Sequence, residues 1–434
     1  MVPRPVPRLR DRAAWHLGAA SAMHAVSDAL FAGVYPLLPL VAADLRLSYG
    51  EVGAVKAVLG ASSALLQVPA GMLAEVAGEH LLLAGGTAWV GAGFIGMAFA
   101  ASFLPLLVLA VTAGIGGNTQ HPVANAAVAH LYDDASRPGA IGTLNFAGDV
   151  GKVVAPFVGG FGAAIAGWRG GFTALGVLGA AFAVAYAILV PVRWPTRRAG
   201  TPRLSETAAP ENHSLSPTSH SRTRAAPTDA SRSAWHPAAW GVASPGPYAA
   251  LSLVGAIDAA ARGAALALLP FAFARAGMDA ADVGVAFAVL FGAGAAGKFL
   301  CGPLASRTGL AVTIIVTEVV TALGIMVIPL APREAILWAI LPFGFSLNGT
   351  STVLYSLVAP LAIPEQRARA YGLYYTITLL ATAGSPLIYG AVADVTDLDT
   401  AFGALGVVTL AILPVAWWWR DGFRATPTRV TPAR

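Results

Sequence analysis

Lysine is almost absent: Lys56, Lys152 and Lys298 are the only three among 27 basic residues. Cysteine is scarcer still, since Cys301 stands alone and excludes an intrachain disulfide or a cysteine metal cluster. Charged residues make up only 11% of the 434, too few for the solvated surface of a soluble protein of this length. No Gly-x-x-x-x-Gly-Lys-Ser/Thr loop is present, which argues against ATP-driven chemistry. Nor is there a recognisable nucleophile with its base, so no enzyme activity and no cofactor are expected. The net charge of +5 could suggest nucleic acid, yet the arginines form no basic helical stripe.

What the chain has in abundance is apolar sequence: 56% hydrophobic residues and a mean hydropathy of +0.67. About 20 residues cross the hydrocarbon of a bilayer, and the hydropathy predicts twelve such spans. They fall near 13–41, 52–74, 81–101, 104–130, 139–165 and 171–191, then 248–273, 283–305, 310–330, 335–361, 368–392 and 400–419. With both termini in the cytoplasm, the cytoplasmic segments hold 19 arginines and the opposite loops only Arg46, Arg169, Arg275 and Arg333. That asymmetry satisfies the positive-inside rule. Trp417, Trp418, Trp419 and Arg420 close the last span as an interfacial anchor.

The spans divide into two sets of six. A basic start (1–12) precedes the first bundle (13–191), and a linker rich in proline, serine and arginine (192–246) leads to the second bundle (247–419) and a tail (420–434). The linker is expected to be disordered and cytoplasmic, with His213, His220 and His236 too irregularly spaced to read as metal ligands. Across it the sequence repeats at an offset near 230. Pro36 and Pro270 are expected to close the first helix of each half, with Asp28 and Arg262 eight residues earlier, and His24 and Asp258 twelve earlier. Glu51-Val-Gly answers Asp282-Val-Gly, Asn118 answers Asn348, and Pro156 and Gly160 answer Pro386 and Gly390. Six spans repeated in parallel predict an all-α integral membrane protein with twelve transmembrane helices in two pseudo-symmetric bundles and a central pathway.

All three lysines, Arg262, Asp28, Asp149, Asp258 and Glu318 lie inside predicted spans. One charge at a helix centre costs roughly 2.5 to 3.5 kcal/mol on translocation scales, so these residues should line a polar path. His24 and Asp28 share one helix face; they suit a proton relay, because histidine titrates near neutral pH, or else a hydrogen-bonded packing pair. The fourth span presents Asn118, His121 and Asn125 on one face, and the fifth presents Asn145, Asp149 and Lys152. Asp149 and Lys152 could serve solute and coupling, or simply neutralise each other.

In the second half the matching positions are Asn348, Ser351 and Tyr355, then Tyr375, Leu379 and Thr382. One half thus offers charge and amides, the other hydroxyls and aromatic faces, as a solute with one ionised and one apolar end would need. Asp258 and Arg262 either form a static pair or let Arg262 exchange with Asp28 across the pseudo-twofold. Lys56 is a second candidate cation for solute or a snorkelling side chain; Lys298 is expected to snorkel. Glu318 is expected to be a neutral acid or a partner for Lys298. The candidate coupling residues are His24, Asp28, Asp149 and Asp258.

After the second span the chain reads Gly71-Met-Leu73-Ala74-Glu75-Val76-Ala-Gly78-Glu79-His80, and after the eighth Gly302-Pro-Leu304-Ala305-Ser306-Arg307-Thr-Gly309. Both resemble the gate motif of the major facilitator superfamily, Gly-x-Leu-Ala-Asp-Arg-x-Gly-Arg-Lys. Gly71, Glu75, Gly78, Gly302, Arg307 and Gly309 are the candidate gating residues. The first copy lacks the basic positions and the second lacks the acid. Within that superfamily, His24-x-x-x-Asp28, Leu47-Ser48-Tyr49-x-x-Val52-Gly53, Gly116-x-x-x-x-His121-Pro122 and Gly142 with Gly148-x-x-Gly151 and Pro156 are similar to the fosmidomycin-resistance group.

The resemblance implies a secondary transporter in the bacterial cytoplasmic (inner) membrane, a monomer exporting a small organic solute in exchange for protons. Asp149 and Lys152 stand where that group carries small or amide residues, so the solute is expected to differ. Proton-coupled uptake of an organic anion on Lys152, Arg262 and Lys56 is the alternative. A non-transporting membrane sensor on the same fold, suggested by the altered gate motif, is a third.

Overall fold

The computed structural model describes residues 9–65, 67–117, 120–133, 136–190 and 240–419. Helix dominates because a backbone in hydrocarbon must satisfy its polar groups within its own segment. In chain order the helices are α1 (Leu9–Ala32), α2 (Leu38–Leu45), α3 (Tyr49–Leu65), α4 (Gln67–Ala77), α5 (Glu79–Met97), α6 (Phe103–Gly117), α7 (Gln120–Leu131) and α8 (Arg137–Leu189). The second half contains α9 (Pro245–Arg275), α10 (Ala280–Thr308), α11 (Leu310–Val327), α12 (Arg333–Ser356), α13 (Arg367–Val395), α14 (Leu398–Leu410) and α15 (Ile412–Trp418).

Among the described residues nine helical stretches are long and apolar enough to cross a membrane. The longest contains two crossings: Ala166 and Gly167 leave helical geometry, Gly167 at φ +65°, and Gly162 then packs on Gly171. Tandem α3–α4 and α6–α7 complete the twelve. Local chemistry sets several ends. Asp279 and Asp282 form a capping box that starts α10, and Asp397 caps α14 by accepting from the Thr400 amide. Gly78 and Gly309 separate successive helices at φ +84° and +91°, a backbone region that disfavours any side chain.

Two boundaries differ from expectation. Pro36 does not end its crossing, because a short 3₁₀ turn at Tyr35–Leu37 leads directly into α2. Pro270 lies inside α9, which runs on to Arg275. Proline removes one backbone donor, which bends a helix without necessarily stopping it. Most of the predicted linker, with its three histidines, lies outside the described residues, as do residues 1–8 and 420–434. At the linker's end Ala243 donates to the Leu361 carbonyl and Ile363 donates to that of Gly241, and α9 begins before residue 247.

The packing repeats across the halves. α1 lies on α8 as α9 lies on α13; α3 on α6 as α10 on α12; α5 on α8 as α11 on α14. The halves meet where α8 packs on α10 and α3 on α13. At one end of these seams the backbones touch. A Cβ at Gly160 would lie 2.4 Å from the Ala280 carbonyl oxygen, and one at Gly284 2.5 Å from that of Pro156. Their repeat mates behave alike: Gly390 would meet the Tyr49 oxygen at 2.4 Å and Gly53 that of Pro386 at 2.2 Å.

Further along, the separation grows to 3.9 Å for Gly60 against Ala383 and 4.0 Å for Gly292 against Val153. At Gly139, Gly142 and Gly372 a Cβ would meet nothing within 4 Å. The two bundles therefore splay from one closed end, and a wedge opens between them. The arginine distribution predicts that the open end is the cytoplasmic one.

Candidate functional site

The wedge is lined by residues whose helices approach closely. Gly148 on α8 faces α1 where His24 and Asp28 project; a Cβ there would fall 2.4 Å from His24 Cδ2 and 2.6 Å from Asp28 Oδ2. Gly151, one turn on, brings α8 against the Ala25 carbonyl. These glycines set His24 and Asp28 directly beside the polar stripe of α8.

A chain of charges results. His24 Nε2 is 3.6 Å from Asp28 Oδ2, which also lies 2.8 Å from Lys152 Nζ. Lys152 reaches Asp149 Oδ1 at 3.4 Å, and Lys298 on α10 holds the same oxygen at 2.6 Å. Two lysines balance two aspartates, which offsets the cost of placing four ions in a low-dielectric region. The network ties α1 and α8 of the first half to α10 of the second. Lys298 does not snorkel, contrary to the sequence expectation, and its partner is Asp149 rather than Glu318. A signal was available, because Lys298 lies about four helical turns beyond Gly284 and so shares the face that packs on α8.

The second half holds a separate cluster. Arg262 pairs with Asp258 one turn earlier and donates from Nε to the Leu347 carbonyl at 3.1 Å. Around them is a cavity of about 210 Å³ lined by Ser351, Tyr355, Tyr374, Tyr375, Thr378, Leu379 and Thr382 as well. Tyr355 packs edge-on against Tyr374 and tilted against Tyr375. Thr378 carries no sequence signal of its own beyond lying one turn from Tyr375 on the same helix, next to Tyr374. The predicted exchange between Asp28 and Arg262 is not made in this conformation, since each has its own partner.

Lys56 on α3 places its ammonium 4.2 Å from the centroid of Tyr35, and Tyr35 in turn stacks on Phe287 of the other half at 5.1 Å. A cation over an aromatic face is held by the ring quadrupole without a counter-ion. Lys56 is therefore half-buried against Tyr35, with its ammonium turned onto that ring. Among the described residues no carboxylate pairs with it.

The remaining candidates divide. Asn145 is exposed one turn before Asp149, and Asn125 is half-buried on α7. Asn348 faces α10, not the cavity: a Cβ at Gly294 would lie 2.5 Å from its Nδ2, which donates to the Gly344 carbonyl. Asn118 and the His121 side chain lie outside the described residues, as do the side-chain surroundings of Gly71 and Glu75. Gly302 borders a groove with Ser306 and Gly309 at the open end, and Arg307 is exposed there.

A family model described as Major Facilitator Superfamily matches residues 20–252 and 251–434. A probable L-galactonate transporter of Escherichia coli (strain K12) is 26% identical over 146 residues, a match spanning 34% of this chain and 32% of that protein. The chain thus covers about a third of that relative's length. A bacterial homologue of the human lysosomal transporter Spinster, in an inward-facing and occupied conformation, superposes with TM-score 0.71 at 17% identity, over 96% of this chain and 97% of the other. The nucleoside transporter NupG gives TM-score 0.68 at 13% identity, over 94% and 99%. At such identities the two structures speak for the fold alone.

Proposed function

The chain belongs to the Major Facilitator Superfamily, a family of non-enzymatic membrane transporters, and from that premise we propose that it moves a small organic anion by alternating access coupled to protons. One observation carries the choice of an anion. Lys152, Lys298 and Arg262 each have a carboxylate partner, while Lys56 sits over Tyr35 with none among the described residues. The path therefore carries a cation awaiting a counter-charge. The hydroxyl and aromatic lining around Tyr355 and Tyr375 supports a solute whose other end is uncharged.

In the mechanism, the solute enters the wedge from the open end and its anionic group is drawn toward Lys56 and Arg262. The glycine contacts hold the closed end shut and must part when the bundles rock. To open that end, the halves must close at the other, and the Asp149–Lys298 pair joining them must rearrange. A proton reaching Asp28 or Asp149 would weaken that network and so link titration to movement.

Two directions fit such a carrier. Export in exchange for protons is what the resemblance to the fosmidomycin-resistance group implies. Uptake together with protons is favoured by the unpaired cation and by the galactonate transporter among the relatives, since an anion and a proton neutralise each other in one path. Purified protein in liposomes separates them. With sugar acids including L-galactonate as tracers and an imposed pH gradient, flux toward the alkaline side marks cotransport and flux toward the acidic side marks exchange. Failure of every anion in the panel to move, with wild type and Lys56→Met alike, would sink the proposal and favour a sensor.

A further inference from the structure

Glu318 on α11 is completely buried, and the carboxyl of Asp258 lies against its own. Its polar surroundings come from two neighbouring helices: Asp258 and Arg262 from α9 and Thr350 from α12. The Thr350 hydroxyl is already engaged, donating to Thr317 Oγ1 at 2.8 Å. Asp258 gives one oxygen to Arg262, and its buried carboxyl also meets that of Glu318. On the other helices packed on α11, Arg307 of α10 and Glu334 of α12 are exposed at helix ends, and the remaining charges are paired. Asp399 of α14 is paired with Arg275, Lys298 and Asp282 of α10 are paired with Asp149 and Arg333, and α15 has no titratable residue. Two acids therefore share one guanidinium at the back of the cavity, and the cluster is neutral only if it carries one proton.

We infer that Asp258 and Glu318 form a proton-binding carboxyl pair behind Arg262, holding one proton at rest and a second when an anion draws Arg262 away. The resting proton sits on Glu318, so Asp258 keeps the negative charge that pairs with Arg262. When an anion in the cavity takes the guanidinium, the Asp258–Arg262 pair breaks. A proton from cavity water then forms an O–H bond on Asp258, and the charge count returns to neutral. The first part stands on the cluster alone; the second rests on the anion reading above.

Infrared spectroscopy of the full-length protein in lipid, without solute, tests the first part through the carbonyl stretch of a protonated carboxyl at neutral pH. The band is expected in wild type and in Asp149→Asn, and lost in Glu318→Gln. Its absence from wild type, or its survival in Glu318→Gln, overturns the pair. If Glu318→Gln does not fold, Glu318→Asp serves instead: a shifted band supports the assignment and an unmoved one overturns it. Addition of L-galactonate in weak buffer with a pH dye tests the second part. Proton uptake on binding supports it and binding without uptake overturns it. No binding of any sugar acid, with the resting band present, removes the anion reading while the carboxyl pair stands.

Discussion

Lys298 Nζ lies 2.6 Å from Asp149 Oδ1, joining α10 of the second bundle to α8 of the first in the middle of the splayed wedge. It is an interhelical contact that either bundle alone would lack. Because Asp149 also receives Lys152 at 3.4 Å, removing Lys298 leaves the aspartate with one partner instead of two. Lys298→Met is expected to lower stability in detergent by about 1 to 2 kcal/mol, below the value for fully buried pairs because Lys298 is a third exposed. A cycle with Asp149→Asn checks this: the double variant should be less destabilised than the two singles added, and strict additivity would show the contact to be incidental.

Gly148 makes room for His24 and Asp28, the pair proposed to take part in proton coupling. Gly148→Ala would press a methyl into His24 and Asp28 at 2.4 to 2.6 Å, parting Asp28 from Lys152. Proton-driven flux of the variant in liposomes is expected to fall at least about tenfold, since misplacing a reacting group by about 1 Å can cost a hundredfold. Gly142→Ala, whose added methyl meets nothing within 4 Å, should transport normally. Equal losses in both would indicate general helix damage.

Asp394 holds the closed end from the opposite bundle. Its carboxylate accepts from the Tyr49 and Gly50 amides at 2.7 and 2.8 Å and from Ser48 Oγ at 2.7 Å, adding to the cap that Ser48 and Glu51 of the same half already give α3. Asp394→Ala should cost about 1 kcal/mol of closed-end stability and raise the hydrogen-exchange rate along the first turns of α3. An unchanged rate would mean that the backbone contacts of Gly53 and Gly390 suffice by themselves.

Asp397, between the spans, gives a pH dependence of known sign. Hydrogen bonds from the Thr400 amide and hydroxyl hold its carboxyl below the usual range. A depressed carboxylate contributes its full stabilisation above the ordinary carboxylate value and loses it as pH falls through the lowered folded value. Hydrogen exchange at the Thr400 amide should therefore accelerate in acid beyond the intrinsic trend, and Asp397→Ala should abolish the excess. A wild-type amide that tracks the intrinsic rate throughout would contradict the cap.

Much of the architecture was legible because hydrocarbon imposes simple rules. Span length, arginine placement and the offset near 230 predict the two bundles, and the glycines that answer one another, Gly53 with Gly284 and Gly160 with Gly390, do meet the opposite half as mates. The candidate site was legible in composition but not in partnership. His24, Asp28, Asp149 and Lys152 belong to one network as their helix faces suggested. Lys298 was misread because its nearness to a span end suggested snorkelling, whereas the relevant variable is which helix packs on its face. Asn348 meets Gly294 of α10 for a related reason: repeat symmetry fixes its level in the bundle but not the neighbour that its amide meets.

By itself the sequence determined which residues had to be inside the membrane, because only apolar helices of sufficient length can satisfy their backbones there. It also determined that eight charges had to find partners. The partners were a matter for tertiary structure. Asp28 could have met Arg262 or Lys152, and the close approach of α1 to α8 through Gly148 and Gly151 selected Lys152. Glu318 could have met Lys298, but Lys298 is taken by Asp149 across the bundles and the acid beside Glu318 is Asp258 of α9. Charge pairing depends on distances of a few ångströms across helices remote in sequence, and helix periodicity carries no information about them.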